Sequence, residues 1–173
     1  MREALTFLVA SPHLRNDFFE KTVILLLEHD EGGSVGLVVN YPSAVPLADL
    51  LEVPPAAGSA WVGGPVEPYI GWCMYRKGTG MRGEHVLSSD LFVSTSAEVL
   101  DVLQMRGQDF RLLMGYSGWG KAQLEGEASQ GAWLWLEADS QLIFDTPFDE
   151  IWSRAYQLLG VDPDTLVIGG ARA

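Results

Sequence analysis

Three short runs near the N-terminus, residues 5–9, 22–28 and 35–40, consist of β-branched and aliphatic side chains separated by polar or glycine-bearing turns. Such runs predict strands. Several of them are apolar throughout and lack the polar alternation of a strand with one wet face. The sheet they form is therefore expected to be covered on both faces, by helices or by another part of itself. Glu31, Gly32 and Gly33 predict a hairpin between the second and third strands.

Further along, Pro42 and Pro46 bracket a segment leading to a short helix over 47–52, stopped by Pro54 and Pro55. Strands are predicted over 60–62, 70–76 and 86–93, the last broken by a turn at Ser88, Ser89 and Asp90. Thr95 with Glu98 resembles a capping box, and Val99, Leu100 and Leu103 share one helical face before Gly107. Residues 110–114 read as a central strand, 123–129 as a short helix, and 133–137 with 142–144 as a strand pair. A final helix starts at Thr146 with Pro147 in its first turn, buries Phe148, Ile151, Trp152, Ala155 and Leu159, and ends at Gly160. No repeat or linker divides the chain, so a single domain over 1–173 is expected.

The 173 residues carry 11 Lys and Arg against 23 Asp and Glu, a net charge of −12. That surface repels phosphate backbones and anionic headgroups, and the cations, Arg2, Arg15, Lys21, Arg76, Lys77 and Arg82 among them, form no basic stripe. Direct nucleic-acid binding and membrane association are disfavoured. The longest strongly apolar run, 23–27, is far shorter than the ~20 residues of a membrane span. A mixed-charge start, Arg2 beside Glu3, argues against a secretion signal over the apolar stretch 4–10. Cys73 has no partner cysteine, which fits a reducing cytoplasm, and no His/Cys spacing implies a metal. No cofactor is expected.

Several motifs resemble chemistry. Gly115 to Lys121 has the spacing of a phosphate-cradling loop, yet Ala122 replaces the magnesium-binding hydroxyl, and Tyr116 and Trp119 crowd the amides. Ser117 approaches a nucleophile elbow, but Trp119 stands where that turn needs glycine. Gly78, Gly80 and Gly83 spell a dinucleotide fingerprint that leads into no helix. Glu125 and Glu127 would diverge on a helix. Gly63, Gly64 and Pro65 permit close backbone approach, and read most simply as a tight strand exit. His29 reads as a half-buried histidine at a strand end, and Asn40 as a turn residue.

Together, Phe7-Leu-Val-Ala-Ser-Pro12, His29, Gly33-Ser-Val-Gly-Leu-Val-Val-Asn40-Tyr-Pro42, Val62-Gly-Gly-Pro-Val66 and Gly115-Tyr-Ser-Gly-Trp-Gly120 with Gln123-Leu-Glu125 resemble the AlgH/YqgE family. The resemblance runs from about residue 5 to the C-terminus. It implies an α+β fold in which a bifurcated, largely antiparallel sheet forms a pseudo-barrel with flanking helices. Members often carry the label of transcriptional regulator, because one was linked genetically to alginate production, and no biochemical activity is established for the family. The chain departs from the family pattern at Tyr41, at Met74-Tyr75 and at Lys121-Ala122.

The shared motifs suggest one ligand site, in which Gly63, Gly64 and Pro65 meet Gly118, Trp119 and Gly120, with His29, Asn40, Gln123 and Glu127 as polar anchors. The expected function is that of a cytoplasmic bacterial regulatory or ligand-binding protein, taking a small molecule or a protein partner. The alternative is a small-molecule enzyme with His29 as general base and Glu127 as acid.

Overall fold

The computed structural model describes residues 4–15, 17–52 and 58–166. Among these residues ten strands and four α-helices follow in the order β1 (Leu5–Ala10), β2 (Val23–Asp30), β3 (Gly33–Val38), β4 (Pro42–Pro46), β5 (Ser59–Val62), β6 (Val66–Tyr75), β7 (His85–Ser88), β8 (Leu91–Ser94), α1 (Ala97–Met105), β9 (Arg111–Trp119), α2 (Gln123–Ser129), β10 (Trp133–Ala138), α3 (Gln141–Phe144) and α4 (Ile151–Leu159). Single 3₁₀ turns occupy Leu47–Asp49 and Phe148–Glu150. The sheet runs β10-β1-β2-β3-β9-β6-β8-β7, and β4 joins through β5. Every pairing is antiparallel except that of β5 with β9. The expected α+β, bifurcated and largely antiparallel fold is present, curled into a half-barrel.

The bifurcation lies in β9. Its first half pairs with β5, Trp61 opposite Leu113 and Val62 opposite Met114, and its second half pairs with β3, Gly36 opposite Ser117 and Ser34 opposite Trp119. Between the halves Gly115 takes φ +77°, a left-handed conformation that side chains resist. The Gly63 amide donates to the Met114 carbonyl at 2.8 Å, and the Gly63 carbonyl accepts from the Val38 amide at 2.8 Å and from Ser117 Oγ at 3.2 Å. The backbones touch here without side chains between them. A Cβ on Gly63 would collide with the Gly115 carbonyl, one on Gly64 with Tyr116, and one on Gly115 with the Gly64 carbonyl. The Gly63-Gly64-Pro65 exit is the crotch of a forked sheet.

The absence of alternation in the first strands follows from three cores. Phe7, Val9, Leu25 and Leu37 point into the concave side, where Leu142 and Ile143 of α3 and Ile151, Ala155 and Tyr156 of α4 close over them. Leu8, Ala10, Ile24 and Val38 point outward beneath Leu124 of α2. A third cluster, Cys73, Tyr75 and Leu112 with Val99 and Leu103 of α1, covers the other arm of the fork. Trp152 Nε1 and Tyr156 Oη both donate to the Ala10 carbonyl at 2.9 Å, fastening α4 to the end of β1. Burial pushes the Cys73 thiol up to about 12, so it is a packing residue.

Four local expectations are corrected. The Gly115-to-Trp119 motif continues strand β9 and is not a loop. Residues 141–144 are helical, because Leu142 and Ile143 dip together into the concave core. The N-cap of α1 is Ser96, whose Oγ accepts from the Val99 amide at 3.3 Å, and not Thr95. Pro147 is extended and leaves Phe148 exposed, while Ile151 begins the buried face of α4. The stretch 42–46 adds a short strand that two prolines confine to the sheet margin. Pro54, Pro55, Arg2 and Glu3 lie outside the described residues. Among the described residues no helix is long and apolar enough to cross a membrane.

The fork makes Gly64→Ala a severe lesion, expected to lower stability by about 3 kcal/mol or more in urea denaturation. Gly126→Ala in α2, where a Cβ meets nothing within 4 Å, should instead raise stability by about 0.5–1 kcal/mol.

Candidate functional site

The residues singled out by the sequence do not gather in one place. The largest group lies under α2. After Trp119 the chain turns through Gly120 and a left-handed Ala122 (φ 60°), and Gln123 opens the helix by accepting from the Gly120 amide at 2.9 Å through Oε1. One helical turn on, Glu127 Oε1 accepts from Trp119 Nε1 at 3.1 Å and from Trp133 Nε1 at 3.0 Å, while Oε2 accepts from Gln123 Nε2 at 2.9 Å. Buried indoles need acceptors, and one carboxylate serves two of them. Phe19 completes the box against both tryptophans. Trp119, Gln123 and Glu127 are thus directed at one another.

His29 lies beyond this box. Its Nδ1 is 2.6 Å from Ser34 Oγ, its cross-strand neighbour, and its Nε2 is 3.9 Å from Glu125, not Glu127. Glu125 and Glu127 diverge as their spacing requires: one faces His29, the other the indoles. Ser34, which the sequence did not single out, is only 4% exposed.

Gly63, Gly64 and Pro65 sit at the fork, where the Gly63 amide and carbonyl are both engaged by the sheet. Gly118 is paired with Val35 in the β3–β9 ladder. Asn40 stands at the far end of β3, where Oδ1 accepts from the Val23 amide and Nδ2 donates to the Lys21 carbonyl, each at 2.9 Å. Six residues separate it from Ser34, the partner of Trp119, or ~20 Å of strand at ~3.3 Å per residue. Asn40 and the Trp119 box are therefore separate features.

The dinucleotide-like loop does hold an anion, and it is the chain's own. Glu84 accepts from the Thr79 amide at 2.7 Å, Tyr75 Oη at 2.7 Å, Thr79 Oγ1 at 2.8 Å and the Gly80 amide at 3.3 Å. Burial alone would raise the Glu84 carboxyl, but these donors outweigh it and hold the carboxyl below its ordinary value.

Two adjoining hollows lie at the other arm of the fork. Arg111 begins β9, opposite Met74 of β6, and its guanidinium is 4.7 Å from the Trp61 ring centre and 5.3 Å from that of Phe144. It forms the partition between two hollows. One, of about 610 Å³, is bounded by Leu47, Ser59, Trp61, Gln104 and Phe110; the other, of about 530 Å³, by Tyr75, Arg76, Lys77 and Phe144. Residues 108–111 line both. Arg76 lies 4.3 Å from the Phe144 ring centre and donates to Asp145 Oδ1 at 2.9 Å. No motif marks this cleft: Arg76 and Arg111 become neighbours only through the pairing of β6 with β9. Among the described residues no three His, Cys, Asp or Glu side chains gather where they could share a metal.

Glu127→Ala leaves two indole donors without their acceptor and should cost about 3 kcal/mol in urea denaturation, with Glu127→Gln costing less because one acceptor survives. For Glu84 the folded-state value is depressed from 4.5, so its stabilisation is full above that value and is lost as pH falls through the lowered one. Glu84→Gln should accordingly destabilise the protein at neutral pH, and the gap from wild type should close as acid titrates the carboxyl, read from denaturation curves across pH.

The AlgH-like family model matches residues 7–164. A UPF0301 protein of Pseudoalteromonas translucida is 35% identical over 167 residues, covering 90% of each chain. One from Anaeromyxobacter dehalogenans is 37% identical over 184 residues, covering 96% of this chain and 93% of its own. The solution structure of the AlgH protein from Pseudomonas aeruginosa superposes with a TM-score of 0.79 at 36% identity, over 98% of this chain and 95% of that one. A Corynebacterium diphtheriae protein with a TM-score of 0.70 shares the fold at 20% identity, over 88% of this chain and 84% of its own. With the family model matching nearly the whole chain and relatives at 35–37% identity over most of it, the chain belongs to the AlgH-like family.

Proposed function

We propose that this protein is a cytoplasmic ligand-binding regulator, and that the two-sided cleft around Arg111 is where it takes a small molecule. The observation that carries this reading is the pair of hollows sharing one wall, each within the ~300–1,000 Å³ range of small-molecule sites. The residues expected to anchor a ligand elsewhere serve internal bonds instead: Glu127 and Gln123 hold α2, Asn40 holds β2, and the glycines hold the fork. The chain's net charge of −12 argues against gripping DNA directly. An enzymatic reading through His29 and Glu127 has little support, since Glu127 is bound to two indoles and His29 faces the buried Ser34.

The test is a thermal-shift screen of bacterial metabolites on wild type and on Ser59→Trp, an exposed position at the rim where the indole fills the larger hollow. A ligand at 100 times its dissociation constant should stabilise wild type by about 2.7 kcal/mol, and the shift should vanish in the variant. Shifts equal in both proteins would place the ligand elsewhere, and no shift from any compound would overturn the reading.

A further inference from the structure

Resting on the proposal that the cleft binds a small molecule, we infer that its ligand is a small organic anion, whose carboxylate or phosphate oxygens are received by Arg111 and Arg76 and whose apolar body lies along Phe110 and Trp61. Two guanidiniums share the Phe144 ring, at 4.3 and 5.3 Å from its centre. Like charges this close repel, and only one has an acid beside it: Arg76 pairs with Asp145. Arg111 is more deeply placed, between the faces of Trp61 and Phe144, and among the described residues no carboxylate reaches it. Among the described residues its guanidinium makes one hydrogen bond, Nη2 to the Ile143 carbonyl at 3.5 Å, the outer limit for such a bond, although it offers five donors. Burial first, and Arg76 second, disfavour the Arg111 charge.

The surroundings sharpen the contrast. Arg76, Lys77 and Arg111 are three of only 11 basic residues, against Asp109 and Asp145 at the same cleft, so the local balance is 3 − 2 = +1 on a chain of −12. Elsewhere the half-buried carboxylates are matched: Glu84 and Glu127 each take three or more donors. The Arg111 cleft is the converse, with more donors than Asp145 and the Ile143 carbonyl take up. A planar fork suits an oxyanion bidentately, and an apolar wall suits the carbon skeleton behind it.

The experiment is an NMR titration of wild type, Arg111→Gln, Arg76→Gln and Ser59→Trp, followed through backbone amides and arginine Nε–Hε signals. The probes are benzoate, phenyl phosphate and, as the neutral match, benzyl alcohol. At least one anion should bind wild type at millimolar or lower concentration, at least about tenfold more tightly than benzyl alcohol, and the Arg111 signal should move. Both arginine variants should weaken it by about tenfold or more; Arg76 is exposed, so that variant reports even where Arg111→Gln unfolds. The tighter of benzoate and phenyl phosphate assigns the head group.

Benzyl alcohol binding as tightly as the anions, arginine variants that bind unchanged, anion binding that survives Ser59→Trp, or no anion binding at all would each overturn the inference. A neutral metabolite lost in Ser59→Trp but retained in both arginine variants would refute the anion while leaving the cleft as the ligand site. No metabolite shift whatever would remove the cleft itself.

Discussion

At the centre of this fold two stretches of backbone pass each other with no room for a Cβ between them. Where β9 passes from one sheet arm to the other, Gly63 and Gly64 cross Gly115 and Tyr116 with no room for a Cβ on any of the three glycines. One strand can serve two partners on the same edge only if the first partner leaves as the second arrives, and at Gly63 both are held through a single residue, amide to Met114 and carbonyl to Val38. Everything outward depends on that crossing. It sends β5 and β3 to different sides, which separates the core under α2 from the core under α1 and leaves the concave face to α3 and α4.

Acidic side chains then fasten the periphery. In a chain so rich in carboxylates most face solvent, but Glu127 draws two indoles and a glutamine onto one helical turn, and Glu84 gathers a glycine loop around itself. Both look like ligand-binding arrangements because both are: the ligand is intramolecular. An amide-rich loop cannot distinguish a bound phosphate from a carboxylate on its own chain, and the tethered one has the higher effective concentration. The cleft at Arg111 differs because its donors face hollow space.

Much of the secondary structure was legible because its causes are local. The uniformly apolar runs became strands buried on both faces, Gly107 and Gly160 ended their helices, and the Glu31–Gly32 turn joined β2 to β3. The misreadings have tertiary causes. Gly115 to Trp119 looks like a loop because glycine is costly in a strand, yet the crossing demands glycine there. Residues 142–144 are apolar enough for a strand, and only the shape of the concave core makes them a helix. The candidate site followed the same division: Trp119, Gln123 and Glu127 are near in sequence and do meet, whereas Asn40 does not join them.

By itself the sequence determined most of the strands and helices, that the sheet is sandwiched, that the surface is acidic, and which family the glycine and tryptophan motifs resemble. Those properties follow from side-chain type and from spacings shorter than about one turn or one hairpin. Tertiary structure alone decided which strands share β9, which carboxylate meets which indole, and that Arg76, Arg111 and Phe144 stand together. These are contacts between residues tens of positions apart, set by register across the fork, and register depends on backbone crossings that no local pattern encodes.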